Sequence, residues 1–316
     1  MTPGEAARFA ADLAALSPPG ERIGIAVSGG PDSLALLLLA TAARPGELEA
    51  ATVDHRLRPG SRAETDTVAT ICAARAVPHA ILTARWTDPP TANVQARARE
   101  ERYALLADWA ASRDLAAVAT AHHADDQAET LVMRLLRGAG IAGLGGARPS
   151  RPLADGIALV RPVLGWRKAD LAAIVAEAGL TPLDDPANRD PRHDRSRIRA
   201  WLTETPWADP DRLAASAAWL READDALGWS LDQLIPARLF RDENSVTIDP
   251  AGLPTELQRR LLLAAMTQFG ADPPRGADLA RALKSLRAGA TITLAGLKLE
   301  GGVRWRIAPA PPRRRA

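Results

Sequence analysis

Cysteine occurs once in these 316 residues, at Cys72, so the chain has no intrachain disulfide framework and no Cys-x-x-Cys pair for metal or redox work. Cys72 falls in a helical pattern and is expected to be a core residue rather than a reactive thiol. Lysine is confined to Lys168, Lys284 and Lys298. Nearly all positive charge therefore rests on arginine, which suits bidentate phosphate contacts, although a general bias toward Ala, Arg, Gly and Pro accounts for most of it. No run of about 18 apolar residues is available to span a membrane. Met1 to Leu16 carry Glu5 and Asp12 in place of a signal peptide's apolar segment. These absences predict a cytoplasmic protein with no membrane partner. A formal net charge of +2 and a pI near 9.1 permit a nucleic-acid partner without demanding one.

The chain is long enough for two domains. Its first two thirds alternate short apolar runs (Ile23 to Val27, Leu48 to Val53, Ala80 to Thr83, Ala116 to Thr120, Ile157 to Val160) with helical patterns (Ala63 to Ala76, Asn93 to Ser112, Lys168 to Ala178). That alternation predicts an α/β fold, a Rossmann-like, doubly wound and mostly parallel sheet. Ligands bind beyond the carboxyl ends of such strands, where Asp54-His55 and His122-His123 stand. A charged, Pro-containing segment runs from Asp184 to Arg199, and the composition changes at Thr205 to Pro210. Two domains are expected, 1–205 and 206–316. The second reads mainly helical (Asp211 to Leu234, Thr255 to Gln268, Ala277 to Arg287). It ends in a hairpin of Ala290 to Leu299 and Val303 to Ile307 around Gly301-Gly302, followed by a loose basic tail. Trp219 and Trp229 share one of its helices and are expected in its core.

Ser28-Gly29-Gly30-Pro31-Asp32-Ser33 joins the first apolar run to a helix beginning at Leu34. A turn of this kind presents free backbone N–H groups at a helix N-terminus, where donors and dipole together hold an anion. It has neither the third glycine of a dinucleotide fingerprint nor the Gly-Lys-Ser/Thr ending of a Walker loop. Asp32 is the discriminating residue. A carboxylate roughly 4 Å from a phosphate is repelled by about 4 kcal/mol at an effective dielectric near 20. The arrangement makes sense if Mg²⁺ bridges the two. Ser-Gly-Gly-x-Asp-Ser resembles the pyrophosphate-binding loop of the N-type ATP pyrophosphatases (the PP-loop proteins), which cleave ATP between its α- and β-phosphates.

A second constellation opens another helix. In Thr120 to Thr130 (TAHHADDQAET), His122, Asp125, Asp126 and Glu129 fall on one side of two turns, with Ala128, Leu131, Val132 and Leu135 on the other. The carboxylates suit Mg²⁺ or an ammonium group, and a histidine can move a proton or orient a phosphate. Acidic residues also favour first helical turns for dipole reasons alone. No cysteine or distant histidine completes a zinc set, so zinc and an iron–sulfur cluster are not expected.

Ala-His-His-x-Asp-Asp-Gln-x-Glu-Thr is similar to the second motif of the bacterial tRNA(Ile)-lysidine synthase family. Further segments match in the same order: Val53 to Arg58, Asn93-Val94-Gln95 with Ala98 to Tyr103, Arg137 to Gly145, and Arg161 to Leu164. The resemblance is specific over residues 20 to about 205 and weak beyond. Asp185-Pro186-Ala187-Asn188, His193 and Ser196 depart from the family's usual residues.

The resemblance implies a two-step ligase. ATP adenylates the C2 oxygen of the wobble cytidine in an isoleucine tRNA with anticodon CAU, and free L-lysine then displaces AMP to form lysidine. It implies that Ser28, Gly29, Gly30, Pro31, Asp32 and Ser33 bind ATP with Val53 near the adenine, and that Asp32 holds Mg²⁺ through phosphate. His122, Asp126 and Glu129 would flank the reacting centre. A wobble base must leave its stack to react, and Arg137, Arg148, Arg151, Arg195 and Arg199 are the candidate tRNA contacts. A homodimer is compatible with this reading. Two alternatives stand beside it: a PP-loop tRNA thiolase using the same adenylate, disfavoured because Cys72 is alone, and a nucleotide-holding RNA-binding protein without ligase activity. An amidotransferase-type synthetase using ammonia is disfavoured because the sequence shows neither a glutaminase domain nor an obvious nucleophile.

Overall fold

Five apolar runs become the parallel strands of one sheet, and the helical patterns become the crossovers between them. The computed structural model describes residues 1–56, 61–84, 86, 94–183 and 194–311. Asn93, Leu57, Arg58, the 185–188 and 193 departures, and the last arginines of the tail lie outside the described residues.

The chain begins with α1 (Pro3–Ala14), β1 (Ile23–Ala26), α2 (Pro31–Ala43), β2 (Leu48–Asp54), α3 (Ser61–Ala73), β3 (His79–Thr83), α4 (Val94–Ser112), β4 (Ala117–Ala119) and α5 (Ala124–Leu136). A single turn α6 (Ile141–Leu144), β5 (Ser150–Ala154), β6 (Ile157–Val160), α7 (Lys168–Glu177) and α8 (Asp194–Glu204) follow. The sheet order is β3-β2-β1-β4-β6-β5. All neighbours are parallel except β5, which runs antiparallel to β6. The chain goes one way from β1 to β3 and then returns to the other side of β1 with β4. The carboxyl ends of β1 and β4 thus form the topological switch point, where ligands of such sheets bind.

Burial explains the helices. α2 reads apolar all round because it is buried all round. Leu34, Leu36, Leu37 and Leu39 have no exposed surface and pack with Phe9 and Leu13 of α1 and Leu171 and Ile174 of α7. The opposite face of the sheet is covered by Leu106, Trp109 and Ala110 of α4. α1 and β5 are absent from the sequence reading. α1 is closed by Thr2 and Glu5 in a capping box. β5 is an edge strand with Pro152 inside it and a register shift between Pro152 and Ala154, which erases the alternation that marks a strand.

The chain divides into two compact units, Met1–Arg137 with Gly145–Ala218, and Gly138–Leu144 with Trp219–Ala316. The second contains most of α9 (Pro210–Arg238), then β7 (Leu239–Arg241), β8 (Val246–Ile248), α10 (Thr255–Thr267), α11 (Gly276–Arg287), β9 (Thr291–Leu294), β10 (Leu297–Glu300) and β11 (Trp305–Pro309). The three long helices match the sequence reading, but the terminal hairpin is larger than expected. An antiparallel five-stranded sheet, β7-β8-β11-β10-β9, lies against Leu261, Leu262, Leu283 and Leu286. The run 290–299 is itself a hairpin, because Ala295 and Gly296 both take positive φ (48° and 76°) in a two-residue loop. Trp219 and Trp229 are not core residues: each is 68% exposed on α9. Among the described residues no helix is long and apolar enough to cross a membrane.

Candidate active site

The loop from Ser28 to Ser33 is fixed by its own hydroxyls. Ser28 N donates to Ser33 Oγ at 3.1 Å, the two serine Oγ atoms are 3.2 Å apart, and Ser33 Oγ donates to Gly30 O at 3.0 Å. Gly29 has φ +86°, and a Cβ there would strike Leu183 and Val68. Its carbonyl accepts from Leu183 N at 2.9 Å, which ties the loop to the segment after α7. Gly30 is the N-cap of α2, with no side-chain hydrogen bond across the helix end and Pro31 in the first turn. Donor groups at that end therefore face the switch point.

Asp32 projects from the first turn of α2. Its Oδ1 is buried without a hydrogen-bond partner among the described residues, and its Oδ2 lies 3.5 Å from His123 Nε2. His123, which sequence reasoning passed over in favour of His122, is the histidine that lies against Asp32. It is the N-cap of α5, with Nδ1 accepting from Asp126 N at 3.3 Å and Asp126 Oδ2 accepting from His123 N at 3.1 Å. Burial opposes a charge on this ring, yet Asp32, Asp126 and Asp125 together outweigh it and raise its pKa. While Nδ1 caps the helix, the ring proton sits on Nε2 and points between Asp32 and Asp126. A capping box spelled His-x-x-Asp was the available signal.

His122 faces another way. Its Nδ1 is 3.1 Å from Thr120 Oγ1. Burial, reinforced by Arg161, Arg99 and Arg195 against the opposing pull of Asp126, pushes its pKa down to about 3, so the ring is neutral at physiological pH. Arg161 is buried, donates through Nη1 to Arg148 O and leaves Nε without a partner among the described residues. The guanidinium groups of Arg99 and Arg151 lie 5.0 and 4.8 Å from the centre of the Tyr103 ring. The one tyrosine thus organises a cationic wall beside His122.

The four acidic and histidine positions of the second motif separate by role. Asp125 turns away: it accepts from Lys168 N at 2.8 Å and from Arg167 at 3.2 and 3.3 Å, capping α7. Asp126 and Glu129 stay together and are joined by α8. Arg195 bridges them, Nη2 to Asp126 Oδ1 and Nε to Glu129 Oε2, both at 2.6 Å. Arg199 Nε meets Glu129 Oε1 at 2.6 Å. Burial pushes the Glu129 carboxyl up, but Arg199 and Arg195 hold it below the usual range and ionised. Arg195 and Arg199, expected as RNA contacts, are therefore turned onto these carboxylates. Arg137 pairs with Asp194 at 2.6 Å, Arg148 is exposed, and Arg151 packs on Tyr103. Val53 stands near the carboxyl end of β2, beside β1. Gln127 accepts from Ala147 N at 2.7 Å and donates to Ala147 O at 2.9 Å, fixing the Gly-rich strand approach.

A PP-loop domain family matches residues 5–205. The tRNA(Ile)-lysidine synthase of Novosphingobium aromaticivorans is 49% identical over 316 residues, covering 98% of this chain and 95% of its own length. That of Zymomonas mobilis is 43% identical over 304 residues, covering 95% and 92%. The U34-tRNA thiolase NcsA from Methanococcus maripaludis superposes with a TM-score of 0.58 over 69% of this chain and 78% of its own, at 16% identity, a likeness of fold alone. With the loop at β1, the capped helix at β4 and near-full-length identity of this order, the chain belongs to the PP-loop ATP-binding proteins and, within them, to the tRNA(Ile)-lysidine synthase family.

Proposed function

We propose that this chain ligates L-lysine to C2 of the wobble cytidine of the CAU-anticodon isoleucine tRNA. ATP first adenylates the C2 oxygen with loss of pyrophosphate; the lysine amine then forms the C–N bond at C2, AMP leaves with that oxygen, and the amine's proton passes to a base. The observation that carries this reading is the meeting of two helix N-termini at the switch point, α2 through Asp32 and α5 through His123, 3.5 Å apart. One end suits a polyphosphate, and the other leads into a carboxylate pair suited to an ammonium group.

Backbone N–H groups of Gly29, Gly30, Asp32 and Ser33 bind the phosphates, the Ser28 N–H being held by Ser33 Oγ and Pro31 having none, and Val53 borders the adenine. The buried Oδ1 of Asp32, without a partner among the described residues, fits a Mg²⁺ ion, which supplies charge neutralisation to the phosphates when bound. His123 keeps Asp32 aimed by holding a proton on Nε2. Asp126 and Glu129 attract the lysine ammonium. Asp126, with a single arginine contact against three atom pairs on Glu129, is the carboxylate better placed to take the proton. His122, uncharged, adds a hydrogen-bonding ring without repelling the ammonium. Residues 1–205 serve as the catalytic domain and 206–316 as the tRNA-docking domain. The thiolase alternative is disfavoured: Cys72 is buried in α3, and burial pushes its thiol up to about 11, so it offers no thiolate.

The deciding assay incubates the protein with ATP, Mg²⁺, radiolabelled lysine and the tRNA transcript. Label on the tRNA with stoichiometric AMP supports the reading. AMP release without lysine transfer overturns it.

A further inference from the structure

Beside the carboxylate site lies a cavity of about 650 Å³ that the chemistry above does not use. Its walls are Val132, Met133 and Leu136 from α5 with Ile198 and Trp201 from α8, and its rim is Arg137, Asp194 and Arg197. The two sites share both helices. Along α5 the stripe of Asp126 and Glu129 continues one turn to Met133, about 6 Å of axial rise for four residues. On α8, Arg195 and Arg199 face the carboxylates while Asp194, Ile198 and Trp201 follow the adjacent stripe into the cavity.

The lining chemistry suits a flat, polar-edged ring. Leu136 and Trp201 are left exposed, and Trp207 meets the Trp201 ring edge-on at 6.2 Å and 88°. Apolar exposure of this kind marks a binding surface rather than a folding need. A tryptophan face takes an unstacked base, and arginines at the rim take the adjoining phosphates. Arg137 and Arg197 both pair with the one carboxylate of Asp194, so the rim keeps a net positive charge. The remaining lone pairs of Asp194 accept from an exocyclic amino group. In a CAU anticodon the two bases besides the reacting cytosine are adenine and uracil, and of these only adenine carries an exocyclic amino group.

We propose that the cavity between α5 and α8 seats the anticodon adenine that follows the modified cytidine, stacked on Trp201 with its amino group toward Asp194. This deepens the lysidine-synthase reading and rests on it. Splaying that adenine out of the stack leaves the cytidine free to enter the neighbouring carboxylate site, one helical turn away.

The test uses the full chain and an anticodon stem-loop RNA in three forms: unmodified, with 2-aminopurine at the adenine, and abasic there. Trp201→Ala is expected to weaken stem-loop binding about tenfold or more, within the range of a base stacked on an aromatic ring. The abasic RNA is expected to weaken binding to the wild type by a similar factor. Combining the two should cost no more than either alone. 2-Aminopurine fluorescence should be quenched by the wild type and by Trp201→Phe, and not by Trp201→Ala. Additive losses, or an abasic RNA bound as tightly as the unmodified one, overturn the proposal, and the abasic arm needs no variant protein. Concentration-dependent dimerisation abolished by Trp201→Ala, with RNA binding unchanged, assigns the cavity to a second copy and also overturns it. Failure of lysine transfer by the wild type in the deciding assay would instead count against the underlying function.

Discussion

Arg199 grips Glu129 at two points, Nε to Oε1 at 2.6 Å and Nη2 to Oε2 at 3.2 Å, and so fastens α8 to α5. Glu129 is 2% exposed, so removing its charge deprives Arg199 of this carboxylate and leaves Arg195 with Asp126. Both arginines are about one-third exposed and can turn to water, so the loss falls below the full penalty of a buried pair. Glu129→Ala is expected to lower the melting temperature and to reduce lysine transfer by at least about a hundredfold, with Glu129→Gln milder in stability than in activity. Equal melting curves and equal transfer for wild type and both variants would show the contact to be idle.

Asp32→Asn tests the phosphate end. Pyrophosphate release is expected to fall by orders of magnitude while tRNA binding stays near wild type. A parallel collapse of tRNA affinity would remove Asp32 from the nucleotide site.

Gly29→Ala combines a φ of +86° with a methyl group driven into Leu183 and Val68. A loss of about 1–3 kcal/mol is expected from the backbone conformation and overpacking together. ATP affinity should fall with it, because the same loop presents the N–H donors. Calorimetric unfolding and ATP titration read the two effects; an unchanged midpoint would mean that the loop relaxes without consequence.

The fold and the reactive positions were legible to different degrees. Leu48 to Val53 and the other apolar runs announce parallel strands because both faces are buried. Ser28 to Ser33 announces an anion site because few turns need those residues. His123 did not announce itself, since its role depends on the cap geometry of α5 and on Asp32, 91 positions earlier in the chain. Arg195 and Arg199 read as RNA contacts until α8 turns them onto Glu129. Trp219 and Trp229 read as core because tryptophan is usually buried, yet α9 leaves them outside.

Acidification should destabilise the protein through His122 and His55. Burial lowers their folded pKa values to about 3 and about 4, below the 6.5 of an unfolded histidine. Their contribution is complete above pH 6.5 and is lost as the pH falls toward those values, at up to about 1.4 kcal/mol per pH unit for a fully coupled group. His123 has the opposite sign: its raised pKa favours folding below pH 6.5, and that contribution fades as the pH rises through the folded value. Urea unfolding at pH 7 and pH 4.5 should show a larger drop for wild type than for His122→Gln. Identical drops would remove His122 as a contributor.

Arg148→Ala with Arg151→Ala should weaken tRNA binding and reduce the salt slope by about 0.7–0.9 for each phosphate that the protein no longer neutralises. An unchanged slope would leave both as surface charge, with Arg151 serving Tyr103 alone.

Two helices of the first unit carry their own stoppers, Thr2 with Glu5 on α1 and His123 with Asp126 on α5, and α7 borrows Asp125 from α5. At α2, Gly30 supplies none. The polypeptide thus leaves the N-terminus of one of its most deeply buried helices without a side-chain cap, and in the proposed function a bound nucleotide would complete it as a removable part of the architecture. Binding of ATP should accordingly register as added rigidity in α2 and the leucine layer beneath it, and departure of pyrophosphate as the moment when that layer loosens, so that turnover and a small cycle of core tightening become the same event.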